Sequence, residues 1–175
     1  SVTGNSIYSA DNFGIIVDGC NVVKISDNLI HKCGGGDSTA DTAAISAGYD
    51  NIVAITNNTI HDFGRRGINL NVARTAATVS GNQISGSAAY TGYTYAIIVD
   101  TVTSGLISDN AVFATTGVKY DLRIVNTTGI VVSNNHLQAG VPSSGVIDNT
   151  HFNNYGYVTE NSGAAATVAD GGTIA

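Results

Sequence analysis

The chain has 175 residues, 43% of them hydrophobic and only 11% charged, with 21 Gly, one Pro and no Met or Trp. That length suffices for one sizeable core, and the composition is poor in helix formers. The net charge of −6, with no basic cluster larger than Arg65-Arg66, argues against a nucleic-acid partner, and no apolar run approaches the roughly 20 residues needed to span a bilayer.

The chain opens on Val-Thr-Gly-Asn at 2–5, the first of seven copies of a four-residue word: Val or Ile, Ser or Thr, any residue, Asn. Ile7 follows two residues behind Asn5, and GIIVDG at 14–19 reads as a strand. The second copy, ISDN at 25–28, is led by Val23 and followed by Ile30, His31, Lys32 and the long insert CGGGDSTADT at 33–42. A strand, AISAG at 44–48, precedes the third copy, ITNN at 55–58, which Val53 leads and Ile60 follows. HDFGRRG then runs directly into the strand GINLN at 67–71. The fourth copy, VSGN at 79–82, leads through Ile84 into the loop SGSAAYTGYTY at 85–95 and the strand AIIVD at 96–100. ISDN at 107–110 is followed by Val112 and the strand LRIVN at 122–126, and VSNN at 132–135 is flanked by Ile130 and Leu137. At the seventh copy, VTEN at 158–161, the apolar follower is replaced by Gly163 and the chain ends in a Gly/Ala/Thr segment.

The anchoring residues Asn5, Asn28, Asn58, Asn82, Asn110, Asn135 and Asn161 are 23, 30, 24, 28, 25 and 26 residues apart. Self-similarity at such a period is the mark of a solenoid, and period-two alternation of β-branched residues around each Asn makes it a solenoid of strands. Each rung reads as a strand, a short turn, a second strand, the Asn turn, a third strand and a loop of variable length. The Asn is expected at the sharp turn in left-handed conformation, its amide stacking on those of adjacent rungs as an internal ladder. Ile25, Ile55, Val79, Ile107 and Val132 are expected in one interior column.

This pattern resembles the right-handed parallel β-helix families, which include pectate lyases, polysaccharide epimerases and phage tailspikes. The resemblance covers almost the whole chain and is architectural. It implies an all-β, right-handed parallel β-helix of about six to seven rungs with three strands per rung. The helix is expected over 1–163, with 164–175 a closing segment that leads into a further domain. Because the chain opens inside a rung without an initiator Met, it reads as part of a longer protein.

Counting from each Asn separates the faces. On the second strand the outward residues are Val22 and Lys24, Ile52 and Ala54, Ala76 and Thr78, Ser104 and Leu106, Gly129 and Val131, Tyr155 and Tyr157. So apolar an outer face suits an interface between chains, although β-branched residues are favoured in any strand; the tailspike resemblance implies a homotrimer. The first strand's outward face carries Ile16 and Asp18, Ser46 and Gly48, Asn69 and Asn71, Ile98 and Asp100, then Arg123 and Val125; its amides, hydroxyls and separated carboxylates suit hydroxyl-rich ligands. Asp18 and Asp100 lie three rungs apart, about 14 Å, too wide for paired-carboxylate glycoside hydrolysis at about 5–10 Å.

The densest chemistry lies elsewhere. His31 and His61 each stand three residues past their Asn and should stack on adjacent rungs, with Asp62, Arg65 and Arg66 nearby. Imidazole beside carboxylate can act as general base, and Arg can hold a uronate carboxylate, so His31, His61, Asp62 and Arg65 are the candidate catalytic set for β-elimination or epimerisation. A solvated surface ladder with balanced charge is the structural alternative. Arg66, Asn69, Asn71, Tyr90, Tyr93, Tyr95 and Asp100 are the candidate ligand-binding residues, the tyrosines by stacking on sugar rings. Cys20 and Cys33 are expected to stay apart, and no His/Cys spacing suggests zinc or another metal, so no cofactor is expected. The function expected is recognition of surface polysaccharide, with its processing as an extension, by an extracellular, cell-surface or virion-associated protein. The alternatives are a purely structural trimeric shaft and, more weakly, a complete lyase or epimerase.

Overall fold

The computed structural model of the chain describes residues 1–35, 42–71, 75–86, 95–113, 120–125, 130–137 and 151–153. The strands recur in triplets. The first rung is β1 (Val2–Thr3), β2 (Ser6–Tyr8) and β3 (Phe13–Asp18), and the second β4 (Val22–Ser26), β5 (Leu29–His31) and β6 (Ala43–Gly48). Then come β7 (Ile52–Thr56), β8 (Thr59–Phe63) and β9 (Arg66–Asn71), followed by β10 (Ala76–Ser80), β11 (Gln83–Gly86) and β12 (Tyr95–Asp100). The last elements are β13 (Gly105–Ser108), β14 (Ala111–Phe113), β15 (Tyr120–Val125), β16 (Ile130–Ser133), β17 (His136–Leu137) and β18 (His151–Asn153).

Each triplet sends one strand to each of three sheets. Sheet A is ordered β1-β4-β7-β10-β13-β16-β18, sheet B runs from β2 to β17 through β5, β8, β11 and β14, and sheet C from β3 to β15 through β6, β9 and β12. Every pairing is parallel and joins a strand to its counterpart one rung away. This is the expected all-β, three-stranded parallel coil.

Stacking of like on like makes the core. In sheet A, Val2, Ile25, Ile55, Val79, Ile107 and Val132 fall in one register column. Ile7, Ile30, Ile60, Ile84, Val112 and Leu137 form the column of sheet B. A single rung has no second layer on which to bury its apolar side chains. Stacked rungs remove them from water, each fully buried Ile contributing about 1.5–3 kcal/mol. Sheet C turns two successive residues inward at its start: Ala44 with Ile45 and Ala96 with Ile97 both lie in the core. The leading position must be small, because a Cβ on Gly67 would sit 2.5 Å from the Ala96 carbonyl oxygen. This bend turns Arg66 and Tyr95, one residue earlier, to the outer face of the sheet, where Tyr95 is nonetheless buried.

The asparagine ladder forms as expected. Asn28 Nδ2 donates to Asn58 Oδ1 at 2.9 Å, Asn58 to Asn82 at 3.0 Å, Asn82 to Asn110 at 2.9 Å and Asn110 to Asn135 at 2.8 Å. Each acceptor oxygen also takes the backbone N–H of the same donor residue, as Asn58 Oδ1 takes Asn28 N–H at 3.1 Å. Asn5 joins at the exposed N-terminal end, and Asn161 lies outside the described residues.

One expectation is corrected. The left-handed residue is not the Asn but the one before it: Gly4, Asp27, Asn57, Gly81, Asp109 and Asn134 all have φ between 54° and 69°. The Asn must aim its amide along the coil into the ladder, so its neighbour makes the reversal. At the six described copies that neighbour is Gly, Asp or Asn, the residues for which this conformation costs least. The other corners use the same device, at Ser9, Lys32 and Asp62 behind sheet B and at Gly19, Tyr49 and Thr101 behind sheet C.

Candidate functional site

On the outer face of sheet B the register aligns Tyr8, His31, His61, Ser85 and Phe113 in one axial column. The two imidazoles stack on adjacent rungs, as their common offset from the Asn requires. The ring of Tyr8 lies 5.8 Å from that of His31, and Phe113 lies 6.0 Å from His136 on the next rung. Four rung steps of about 4.8 Å give the column a length of about 19 Å. Tyr8 and Phe113 are exposed at its two ends.

Local backbone irregularity sets the polar contacts. The pairing of β8 with β11 shifts after His61–Ser85, so that Gly86 pairs with Phe63 and Asp62 is the extra residue of a bulge. With φ at 51°, Asp62 swings its carboxylate back to the preceding rung, where Oδ2 lies 3.3 Å from His31 Nε2. His61 Nδ1 is hydrogen-bonded to Ser85 Oγ. Asp62 therefore orients His31 and Ser85 orients His61, leaving His31 Nδ1 and His61 Nε2 as the nitrogens that can meet a ligand. Among the described residues, no group of three or more His, Cys, Asp or Glu is placed to hold a metal ion.

A tight corner carries the chain from sheet B to sheet C. Gly64 N–H donates to Cys33 O at 2.9 Å, Arg65 N–H to Gly34 O at 3.2 Å and Tyr95 N–H to Arg65 O at 3.0 Å. Rungs approach so closely here that a Cβ on Gly64 would overlap the Gly34 carbonyl. The described ends of the segments read as inserts at 33–42 and 85–95 lie between the strands of sheets B and C, at this same corner. Cys33 is buried beneath it and Cys20 is exposed elsewhere, both as free thiols.

The corner divides residues that adjoin in sequence. His31, His61 and Asp62 share the face of sheet B, Arg65 sits at the bend, and Arg66 opens β9 in register with Tyr95 on sheet C. Tyr95 is buried: the Arg123 guanidinium lies 5.2 Å over its ring, and Arg123 Nη1 donates to its hydroxyl at 3.2 Å. Ser46, Asn69, Ile98 and Arg123 form the next outward column. Although outward, Ser46 is only 9% exposed, Asn69 3% and Ile98 6%, and Asn69 Nδ2 donates to Ser46 Oγ at 3.3 Å. Asn71 and Asp100 lie half-buried in the third column, where Thr101 Oγ1 donates to Asp100 Oδ1 at 2.9 Å. Tyr90 and Tyr93 lie outside the described residues. Sequence reasoning does not single out Ser85 for the site, although it shares the offset of His31 and His61 from the Asn. It places Arg123 on the outward face but does not count it among the ligand-binding residues; its signal is its place in the Asn69 column.

No curated protein and no solved structure matches the chain. The family described as right handed beta helix region matches residues 1–175, and the chain belongs to that family.

Proposed function

We propose that this coil is the recognition domain of an extracellular or virion-associated protein and that it binds surface polysaccharide. The observation that carries the reading is the axial column on sheet B. It sets ring faces at Tyr8, His31, His61 and Phe113 and hydrogen-bonding groups at Asp62 and Ser85 along one straight rail, spaced by the rung. A linear glycan likewise repeats along one axis and offers both apolar ring faces and hydroxyls. Strand-borne side chains on a solenoid hold their spacing without an ordering cost at binding. Processing of the glycan is the extension of this reading: His31 and His61 are the groups that would move a proton, and Arg65, at the bend, the one to hold a uronate carboxylate.

A structural shaft is the second reading, and one observation favours it. The outer face of sheet A exposes Val22 at 65%, Ile52 at 48%, Val131 at 41% and Leu106 at 38%, an apolar strip suited to lateral packing in a homotrimer. A glycan array probed with the intact protein separates the readings. Binding that is lost in a Tyr8→Ala/Phe113→Ala variant of unchanged thermal stability supports recognition along sheet B. Binding unchanged in that variant refutes this placement, and a trimer that binds no glycan leaves the shaft.

A further inference from the structure

Ser85 stands in the outward column of sheet B between His61 and Phe113, each one rung away, about 4.8 Å along the axis. Its hydroxyl is hydrogen-bonded to His61 Nδ1. A second acceptor, Ile60 O, lies at 3.5 Å, the outer limit of a hydrogen bond, so the imidazole is the stronger partner. An Nδ1 that accepts the hydroxyl proton carries the ring's own proton on Nε2. A hydroxyl held on an unprotonated imidazole nitrogen is the starting arrangement of nucleophilic acyl chemistry, because the ring takes the proton as the oxygen attacks.

The backbone singles out this pair. β8 and β11 stay in register as far as Ser85 and slip immediately after it, where Gly86 meets Phe63. A bulge of this kind re-aims side chains and recurs beside active sites. The face is also open: His61 is exposed, Ser85 half-buried and Phe113 49% exposed. A carbonyl carbon placed over Ser85 Oγ has the Phe113 ring one rung toward the C-terminal end, an apolar support for its acyl group. In the other direction His61, His31 and Tyr8 continue the column beneath the alcohol half of the same ester. His61 therefore stands on the side of the leaving oxygen, where the proton has to be returned.

We infer that Ser85 and His61 are a nucleophile and its general base, and that this face cleaves short O-acyl esters. Ser85 Oγ bonds to the carbonyl carbon while its proton passes to His61 Nδ1. The bond from that carbon to the alcohol oxygen then breaks, and the leaving oxygen takes the proton from Nδ1. Water next attacks the acyl-serine and gives one proton to His61 Nδ1, which returns it to Ser85 Oγ as the carboxylic acid departs. This is hydrolysis at an ester carbonyl, a reaction distinct from proton movement on the sugar ring. The inference rests on the polysaccharide reading for the alcohol alone, a sugar hydroxyl; the reactivity of Ser85 stands without it.

The intact chain mixed with p-nitrophenyl acetate, quenched in acid at intervals and mapped by peptide mass spectrometry, tests this directly. Nitrophenolate should be released as an acetyl group appears on Ser85. Ser85→Ala should remove that acetyl group from its peptide. His61→Gln, which keeps a hydrogen-bonding side chain beside Ser85, should slow acetylation of Ser85 by about 100-fold or more, the lower end of what general-base assistance contributes. A wild type that gains no acetyl group on Ser85, a result that needs no variant to fold, overturns the inference. So does acetylation of Ser85 at an unchanged rate in His61→Gln. In either case glycan binding on an array stands or falls separately. An array on which neither acetylated nor deacetylated glycans bind removes the polysaccharide reading, and acetylation of Ser85 that depends on His61 still upholds the acyl chemistry.

Discussion

Replacing Asn58 with Ala removes the middle of the internal ladder, and its cost can be worked from the bonds. Asn58 is fully buried. Its Nδ2 donates to Ile25 O at 3.1 Å, Thr56 O at 3.2 Å and Asn82 Oδ1 at 3.0 Å, and its Oδ1 accepts from Asn28 N–H at 3.1 Å and Asn28 Nδ2 at 2.9 Å. Two neighbours keep another partner after truncation: Asn28 Nδ2 still reaches Val2 O at 3.1 Å, and Asn82 Oδ1 still takes the Asn58 N–H at 3.0 Å. The Asn28 N–H loses its acceptor and Ile25 O loses this donor. At about 1–3 kcal/mol for each buried group so stranded, the variant should lose about 2–6 kcal/mol, a large share of a typical 5–15 kcal/mol. For a chain of this size that is a fall of roughly 10 °C in melting temperature. Asn58→Asp keeps the shape but turns the donating nitrogen into a second acceptor facing Ile25 O and Asn82 Oδ1, and should cost at least as much. Asn5→Ala, at the exposed end of the ladder, should cost far less. Circular dichroism during heating reads the ordering of the three variants, and hydrogen exchange reads the Asn28 amide, which should lose protection selectively. A loss below about 1 kcal/mol for Asn58→Ala, or one no larger than that of Asn5→Ala, would refute the reasoning.

Three further outcomes are expected. Gly64→Ala drives a methyl into the Gly34 carbonyl and should destabilise the coil strongly; Gly4→Ala, at φ 69° with open space around it, should cost only about 1 kcal/mol of backbone strain, and equal melting temperatures for the two would contradict the close approach. Ile52→Lys with Val131→Lys places charge on the exposed strip of sheet A and should convert a trimer into a monomer of unchanged melting temperature, as read by light scattering; a wild-type monomer argues against that interface. His61→Ala with Arg65→Ala should abolish glycan binding or turnover without unfolding the coil, because neither side chain enters the core, and unchanged affinity in that double variant returns the corner to ordinary surface.

The coil is legible in the sequence because one word fixes turn, ladder and interior column together. Ile25, Ile55, Val79, Ile107 and Val132 stack where counting from the Asn puts them. The left-handed residue was equally readable: the position before each described Asn is Gly, Asp or Asn, a restriction hidden by treating it as unconstrained. His31 and His61 pair because offset alone decides register. The contact from Asp62 to His31 depends on a bulge that inserts one residue opposite β11, and no count along a single strand reveals it. Alternation places Asn69 outward, but its 3% exposure depends on what packs over the sheet. Arg65 and Arg66 adjoin in sequence yet part at the corner, because the strand of sheet C begins at Arg66.

The ladder also has a direction. From Asn5 to Asn110, each side-chain amide donates one N–H to the Asn oxygen of the following rung, and from Asn28 to Asn135 each carbonyl oxygen faces the preceding rung, from which it accepts. The amide dipoles therefore add along the coil axis instead of cancelling, with the negative pole at the N-terminal end. An α-helix carries the opposite polarity, positive at its N-terminus. A partner that packs on the N-terminal end of the coil therefore meets the acceptor end of the ladder at Asn5, which favours donors or positive charge there. A capping helix would meet that demand with its own N-terminus and would be repelled if it presented its C-terminus.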